Sequence, residues 1–326
     1  MLFRSESQKQ EWDRWSVRSN FSLQLGTPAL AEEISALFAP QSIYYPTGFW
    51  LRGLYAQRDS ESLSFKIGPG LSMNNLFDSP AYGYYINSTI NNTLNLQVPG
   101  LPLDPYNSLG ASLEWKIKKD ITAKYGIFQL SANRGLNTPY ANGYKGWTLA
   151  VSNQDGVVQA LKLEYLYAQA PQAFPACIDL PLCRNRKAIE NQLPKPLLQL
   201  GGYTAGWSFP YVDGSNRTAS GTSGVFLHGI APLRLPLGHG SSLWATAVAN
   251  WNQDVNPVPL QLMGGLMTQG VLPSRPFDVL SLAFSRASLS PYATFPTYLA
   301  GGAPQSSSAR SEEHTSELQS HSDLVC

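Results

Sequence analysis

The stretch GASLEWKIKKDITAKYGIFQL, residues 110–130, limits the fold more than any other part of the chain. Leu113, Trp115 and Ile117 alternate with Glu114 and Lys116. Beyond Lys118-Lys119-Asp120, Ile121, Ala123, Tyr125 and Ile127 alternate with Thr122 and Lys124. A side-chain period of two means two extended strands joined by a tight turn, each with one oily and one wet face. What remains to decide is whether the oily face meets a protein core or lipid.

Composition bears on that choice. Only 14% of the 326 residues are charged, against about a quarter in a soluble domain, while 11% are aromatic. The 27 glycines and 24 prolines imply many turns. No run reaches the ~18 apolar residues that a membrane-crossing helix needs. The opening MLFRSESQKQEWDRW has no apolar signal-peptide core, so the chain is expected either to be cytosolic or to lack its natural start.

The last residues, RSEEHTSELQSHSDLVC (310–326), show neither periodicity nor aromatics. They resemble a sequencing adapter read as protein: its codons give RSEEHTSELQS, and an index with the next adapter segment gives HSDLVC. This segment is expected to be a non-native, disordered tail that pairs with no strand, so it is set aside from fold reasoning. Subtracting Arg310 and four acids (Glu312, Glu313, Glu317, Asp323) from 23 basic and 22 acidic residues leaves 22 and 18, a net of +4.

Alternation predicts twelve strands, near 16–25, 48–58, 62–68, 111–117, 121–130, 145–152, 156–169, 197–207, 222–230, 241–250, 259–270 and 278–288. One helix is expected in TPALAEEISALF, with Thr27 as cap and Pro28 in the first turn. Short connections (59–62, 118–120, 153–156) alternate with long ones (26–47, 71–110, 131–144, 171–196). Turns at one rim and loops at the other are a mark of transmembrane barrels. The connection near 208–221 breaks the alternation, because by count it should be short. The chain is therefore expected to be all-β, an antiparallel transmembrane barrel of the outer-membrane porin type. Trp115, Tyr125, Leu149, Leu163 and Leu282 should face lipid, and Arg286, on the face of Leu282 and Phe284, should snorkel at the membrane edge.

Several stretches resemble the bacterial carbohydrate-selective porins, the OprB-like family. GGLMTQGVLPSRPFDVLSLAFSRASLS (264–290) is similar to that family's strand, loop and returning strand; SLGASLEWKIKKDITAKYGIFQL (108–130) to its hairpin; and NNLFDSPAYGYYINSTI (74–90) to the segment before it. LAEEISALFAPQSIYYPTGFWLRGLYAQ (30–57) matches more loosely. SANRG after residue 130 departs from the family's Asp-Gly turn. The resemblance implies a barrel of sixteen strands passing sugars by passive diffusion in the bacterial outer membrane. Residues 1–309 would then form a partial barrel, lacking a signal peptide and strands at both ends.

Candidate solute-contacting residues follow from the wet face and from one loop. A sugar shedding water needs hydroxyl donors and acceptors, and flat rings for its C–H faces. Alternation places Lys66, Glu114, Lys116, Lys124, Lys162 and Glu164 on the wet face. The long segment 71–108 adds Tyr82, Tyr84, Tyr85 and Asn87, with Asn91 and Asn92, and is the expected constriction; an external loop over the rim is the alternative. No catalytic or metal-binding constellation emerges, no cofactor is implied, and nothing suggests nucleic acid. His228 and His239 lack ligand spacing. Cys177 and Cys183 could close a small loop disulfide in an oxidising exterior. Sugars as solutes and outer-membrane lipid are the expected partners. A general or anion-preferring porin is the second reading, and a soluble β-rich carbohydrate-binding domain the third.

Overall fold

The computed structural model describes residues 15–24, 48–85, 90, 101–102, 107–130, 153, 155–167, 193–272, 274–293 and 311–319. Its strands are β1 (Trp15–Gln24), β2 (Gly48–Asp59), β3 (Leu63–Leu71), β4 (Ser108–Lys116), β5 (Ile121–Leu130), β6 (Gly156–Tyr165), β7 (Leu197–Gly206), β8 (Phe209–Pro210), β9 (Thr218–Ala219), β10 (Thr222–Leu233), β11 (Gly240–Asn250), β12 (Leu260–Gln269), β13 (Val279–Ser288) and β14 (Ser311–Gln319). Twelve of them form one sheet in chain order, β1 to β7 and then β10 to β14, every pair antiparallel. β8 and β9 make a separate two-stranded ribbon. β1 and β14 stand at the ends of the strand order.

The sheet is inside-out relative to a water-soluble protein. On β13 the pattern is complete: Leu280, Leu282, Phe284 and Arg286 are exposed, while Val279, Ser281, Ala283, Ser285 and Ala287 are buried. Trp115, Tyr125 and Leu163 are exposed too, as are Leu161, Leu198, Leu200, Leu227 and Leu243 on neighbouring strands. The opposite face buries Gln199, His228, Thr246, Gln261 and Ser281. Burying one leucine is worth about 1.5–3 kcal/mol. A band of this extent far exceeds the few hundred Å² of apolar patch a soluble monomer exposes. The outer face therefore fits hydrocarbon, and main-strand lengths of 9–12 residues suit a tilted crossing of the bilayer core. Lateral ladders between strands satisfy the backbone groups that lipid cannot.

Two expectations fail. β5 pairs directly with β6, from Ile121↔Tyr165 to Leu130↔Gly156, so no strand stands between them. Residues 145–152, with Trp147 and Leu149, lie outside the described residues, as does the helix expected at 27–38. Without that strand the rim parity changes: the connection from β7 to β10 falls on the long-loop side, and the connection from β6 to β7, residues 166–196, falls on the turn side, so the break in alternation moves there. Between β7 and β10, Val212 N–H donates to the Asp254 carbonyl (2.7 Å), tying two loops of one rim together.

The second failure is the tail. Ser311–Gln319 is not unpaired but forms β14, in register with β13 from Val279↔Gln319 to Ala287↔Ser311. The cause is the edge itself: β13 offers a row of N–H and C=O groups that any extended segment can satisfy, whatever its side chains.

Candidate functional site

The connection from β3 to β4 turns inward and lies across the polar face. Its start is short-range structure: a single helical turn, α1 (Asn74–Phe77), then a 3-10 turn at Tyr82–Tyr84. Neither could persist alone, since nucleating helix fixes several dihedrals for one hydrogen bond. The wall holds them. Phe77 meets Tyr203 and Phe226 edge-on, at 6.5 and 5.8 Å between ring centroids. Tyr82 packs edge-on against Trp244 at 5.5 Å. Between them Leu76, Phe77, Ala81, Tyr82 and Tyr85 are buried.

Polar contacts fix the segment along its length. The Asp78 carbonyl, just past α1, accepts from Lys162 Nζ (3.1 Å) and Gln199 Nε2 (3.4 Å). Ser79 Oγ lies 2.7 Å from His228 Nε2, and His228 Nδ1 lies 2.7 Å from Thr246 Oγ1. The Tyr82 hydroxyl completes that cluster, 2.7 Å from Thr246 Oγ1. Trp244 Nε1–H donates to the Tyr85 hydroxyl (2.9 Å), and Ser281 Oγ donates to the Tyr84 carbonyl (3.3 Å). Residues 76–85 thus engage the inner face from β5 to β13. Two wall glycines make room: a Cβ at Gly126 would lie 2.8 Å from Leu76 Cδ1, and one at Gly265 2.7 Å from the Tyr85 hydroxyl.

The expected solute-contacting residues fall into two groups. Glu114, Lys124 and Lys162 stand in direct register across β4, β5 and β6, with Ser64 and then Gly201 continuing the row. Lys124 Nζ is 3.1 Å from Glu114 Oε2, and both side chains stay partly exposed. Lys66 is half-buried, its amine 5.5 Å from the centre of the Tyr55 ring. Lys116 pairs with Thr122 near the turn rim and is exposed. These four lie on β3, β4 and β5, beside the footprint of the inward segment.

The second group is covered. Lys162 is 2% exposed, and Tyr82 and Tyr85 are 1% and 4% exposed, so no sugar can lie on those rings in this state. Glu164 accepts from Gln199 Nε2 (2.7 Å). Tyr84 is half-buried. Asn87, Asn91 and Asn92 lie outside the described residues, as do Cys177 and Cys183. Gln199, His228, Trp244 and Thr246 were not singled out as wall contacts from the sequence. Trp244 carried a signal: a large ring at an enclosed register position, between exposed Leu243 and Ala245, needs something to pack on. Among the described residues no group of three His, Cys, Asp or Glu could hold a metal.

Residues 5–319 match the profile of a family described as carbohydrate-selective porin, OprB family. The chain belongs to that family. A solved structure titled "High pH structure of Pseudomonas putida OprB" superposes with a TM-score of 0.66 at 14% identity, covering 87% of this chain and 66% of that one. A second, titled "Low pH structure of Pseudomonas putida OprB", gives a TM-score of 0.38 at 13% identity, covering 74% of this chain and 53% of that one. The chain thus spans slightly under two thirds of the porin whose fold it shares. No curated protein matches the sequence.

Proposed function

We propose that the chain belongs to an outer-membrane channel, not an enzyme, and that sugars cross it by passive diffusion. The observation that carries this reading is the pairing of an outward apolar band with a polar inner face crossed by a buried chain segment. A segment held there narrows whatever path the wall encloses. The polar groups of exposed Lys116 and of partly exposed Lys66, Glu114 and Lys124 lie beside it and supply donors and acceptors to a hydroxylated solute. Contacts of this kind are weak and serial, which lets a solute leave as well as enter. The carbohydrate preference itself rests on family membership. Because Tyr82 and Tyr85 are covered, the aromatic stacking expected from the sequence does not support it.

Reconstitution in liposomes provides the test. Swelling rates in isosmotic monosaccharide should exceed those in an amino acid or polyol of similar size, and added sugar should block ion current in planar bilayers. Equal rates for all solutes of one size, with a reversal potential favouring anions, would point to a general or anion-preferring pore. Purification without detergent, with no channel activity, would overturn the reading.

A further inference from the structure

We propose that Lys162 is a positioning residue: with Gln199 and with the His228–Thr246 pair it seats the inward segment and so sets the width of the opening. The proposal rests on the channel reading. A lysine on the wet face of a porin strand would ordinarily be a solvated charge acting on passing ions. The geometry at Lys162 is different. Its side chain is covered, and its ammonium points at the main-chain carbonyl of Asp78. That carbonyl ends the one helical turn of the segment, where main-chain acceptors have no intrahelical partner.

Gln199 meets the same carbonyl from the next strand while its amide also donates to Glu164. One turn further, Ser79 and Tyr82 are held by His228 and Thr246. Two polar seats therefore grip neighbouring residues of the segment, one from β6 and β7 and the other from β10 and β11. Met73 N–H donates to the Pro102 carbonyl (2.8 Å) at the start of the segment, but the backbone bonds within residues 74–85 are local: Asp78 to Asn74, Tyr82 to Ser79, Tyr84 to Ala81 and Tyr85 to Tyr82. Bonds of that range do not order a chain by themselves. Burying an ammonium is costly unless it is well partnered, and a donor that fixes the constriction gives this lysine a use that an apolar side chain could not supply. Lys124, its register neighbour, has the opposite character: partly exposed and ion-paired with Glu114, it remains a charge in the water-filled space.

The test separates position from charge. The full chain is reconstituted in lipid vesicles, hydrogen exchange is followed at the amides of residues 74–85, and conductance and reversal potential are recorded in bilayers. Lys162→Met keeps the stem and removes the donor. Exchange should accelerate about tenfold or more, the sign of local opening; conductance and open-channel noise should rise, with the ion preference close to the parent's. Lys162→Arg, which can still donate, should restore most of the protection. Lys124→Gln should shift the ion preference and leave exchange unchanged. If Lys162→Met shifts ion preference as Lys124→Gln does, with exchange unaltered, Lys162 is a lumen charge and the proposal falls. Should Lys162→Met fail to fold, Gln199→Met and Thr246→Val decide by the same exchange measurement, and parental protection in both overturns the seat. A parent chain that stays in solution and does not enter the vesicles would remove the channel reading, while the exchange result would still judge the seat.

Discussion

Residues in this chain divide by what lies across from them more than by their own chemistry. Lys124 and Lys162 are directly opposed on adjacent strands, and alternation alone gives them the same role. They differ because the inward segment covers one and not the other, a contact between residues 84 positions apart in sequence. Alternation reads which face a side chain takes; it does not read what lands on that face. The same limit hid the Ser79–His228 contact, 149 residues apart. Some residue-level chemistry is local and testable without the pore. In the rim loop between β7 and β10, Asp213 is held at a pKa of about 2 by hydrogen bonds from the Ser215 hydroxyl, the Ser215 amide and Arg217. Its folded pKa is depressed, so the loop contribution is fully present above the ordinary carboxylate value of 3.8 and is lost as pH falls through about 2. The Ser215 amide resonance should titrate with a midpoint near 2; a midpoint near 3.8 would mean that the carboxylate is unpartnered in solution.

Elements show where pattern suffices and where it fails. Alternation found eleven of the twelve strands of the main sheet close to their observed positions, because a half-buried strand must alternate. It expected a strand at 145–152, which lies outside the described residues and does not stand between β5 and β6, and it rejected 311–319, which pairs. Both errors have one source: pairing is decided by backbone groups at a neighbouring edge, and periodicity reports only side-chain environment. At β14 the two are separate, since the ladder places Glu312 and His314 in register with Arg286 and Phe284 whatever their polarity. The inward segment depends instead on small residues in the wall. At Gly265 an added Cβ would lie 2.6 Å from Trp244 Nε1, 2.7 Å from the Tyr85 hydroxyl and 2.8 Å from the Leu282 carbonyl, with a backbone atom among the three. Gly265→Val should therefore break the Trp244–Tyr85 hydrogen bond and cost about 1–3 kcal/mol, the usual range for overpacking. Loss of near-ultraviolet dichroism with retained β-sheet signal would show it. An unchanged aromatic spectrum would mean that the segment does not sit against β12.

At the scale of the whole molecule, the decisive property is which face of the sheet meets hydrocarbon. Low charge and one-sided long loops made that inference available from sequence, and the exposed leucines of the sheet repeat it strand by strand. It can be separated from fold recognition by a pair of substitutions on the two faces. Leu200 lies mid-strand on β7, 53% exposed, opposite Leu163 and Leu227. An arginine there would leave its charge in the apolar layer, at a cost of about 2–4 kcal/mol near the bilayer midplane. Thr122 lies on the other face of β5, in register with Lys116 and Glu164. An arginine at that position would meet water and a carboxylate, and its effect should stay within about 1 kcal/mol of zero, as for an exposed ion pair. Urea titration of folding into lipid vesicles measures both. The asymmetry is the test, because a soluble two-faced sheet would accept arginine at Leu200, its exposed side, more readily than at Thr122. Comparable losses at the two positions, or a larger loss at Thr122, would place the lipid on the wrong face and take the channel reading with it.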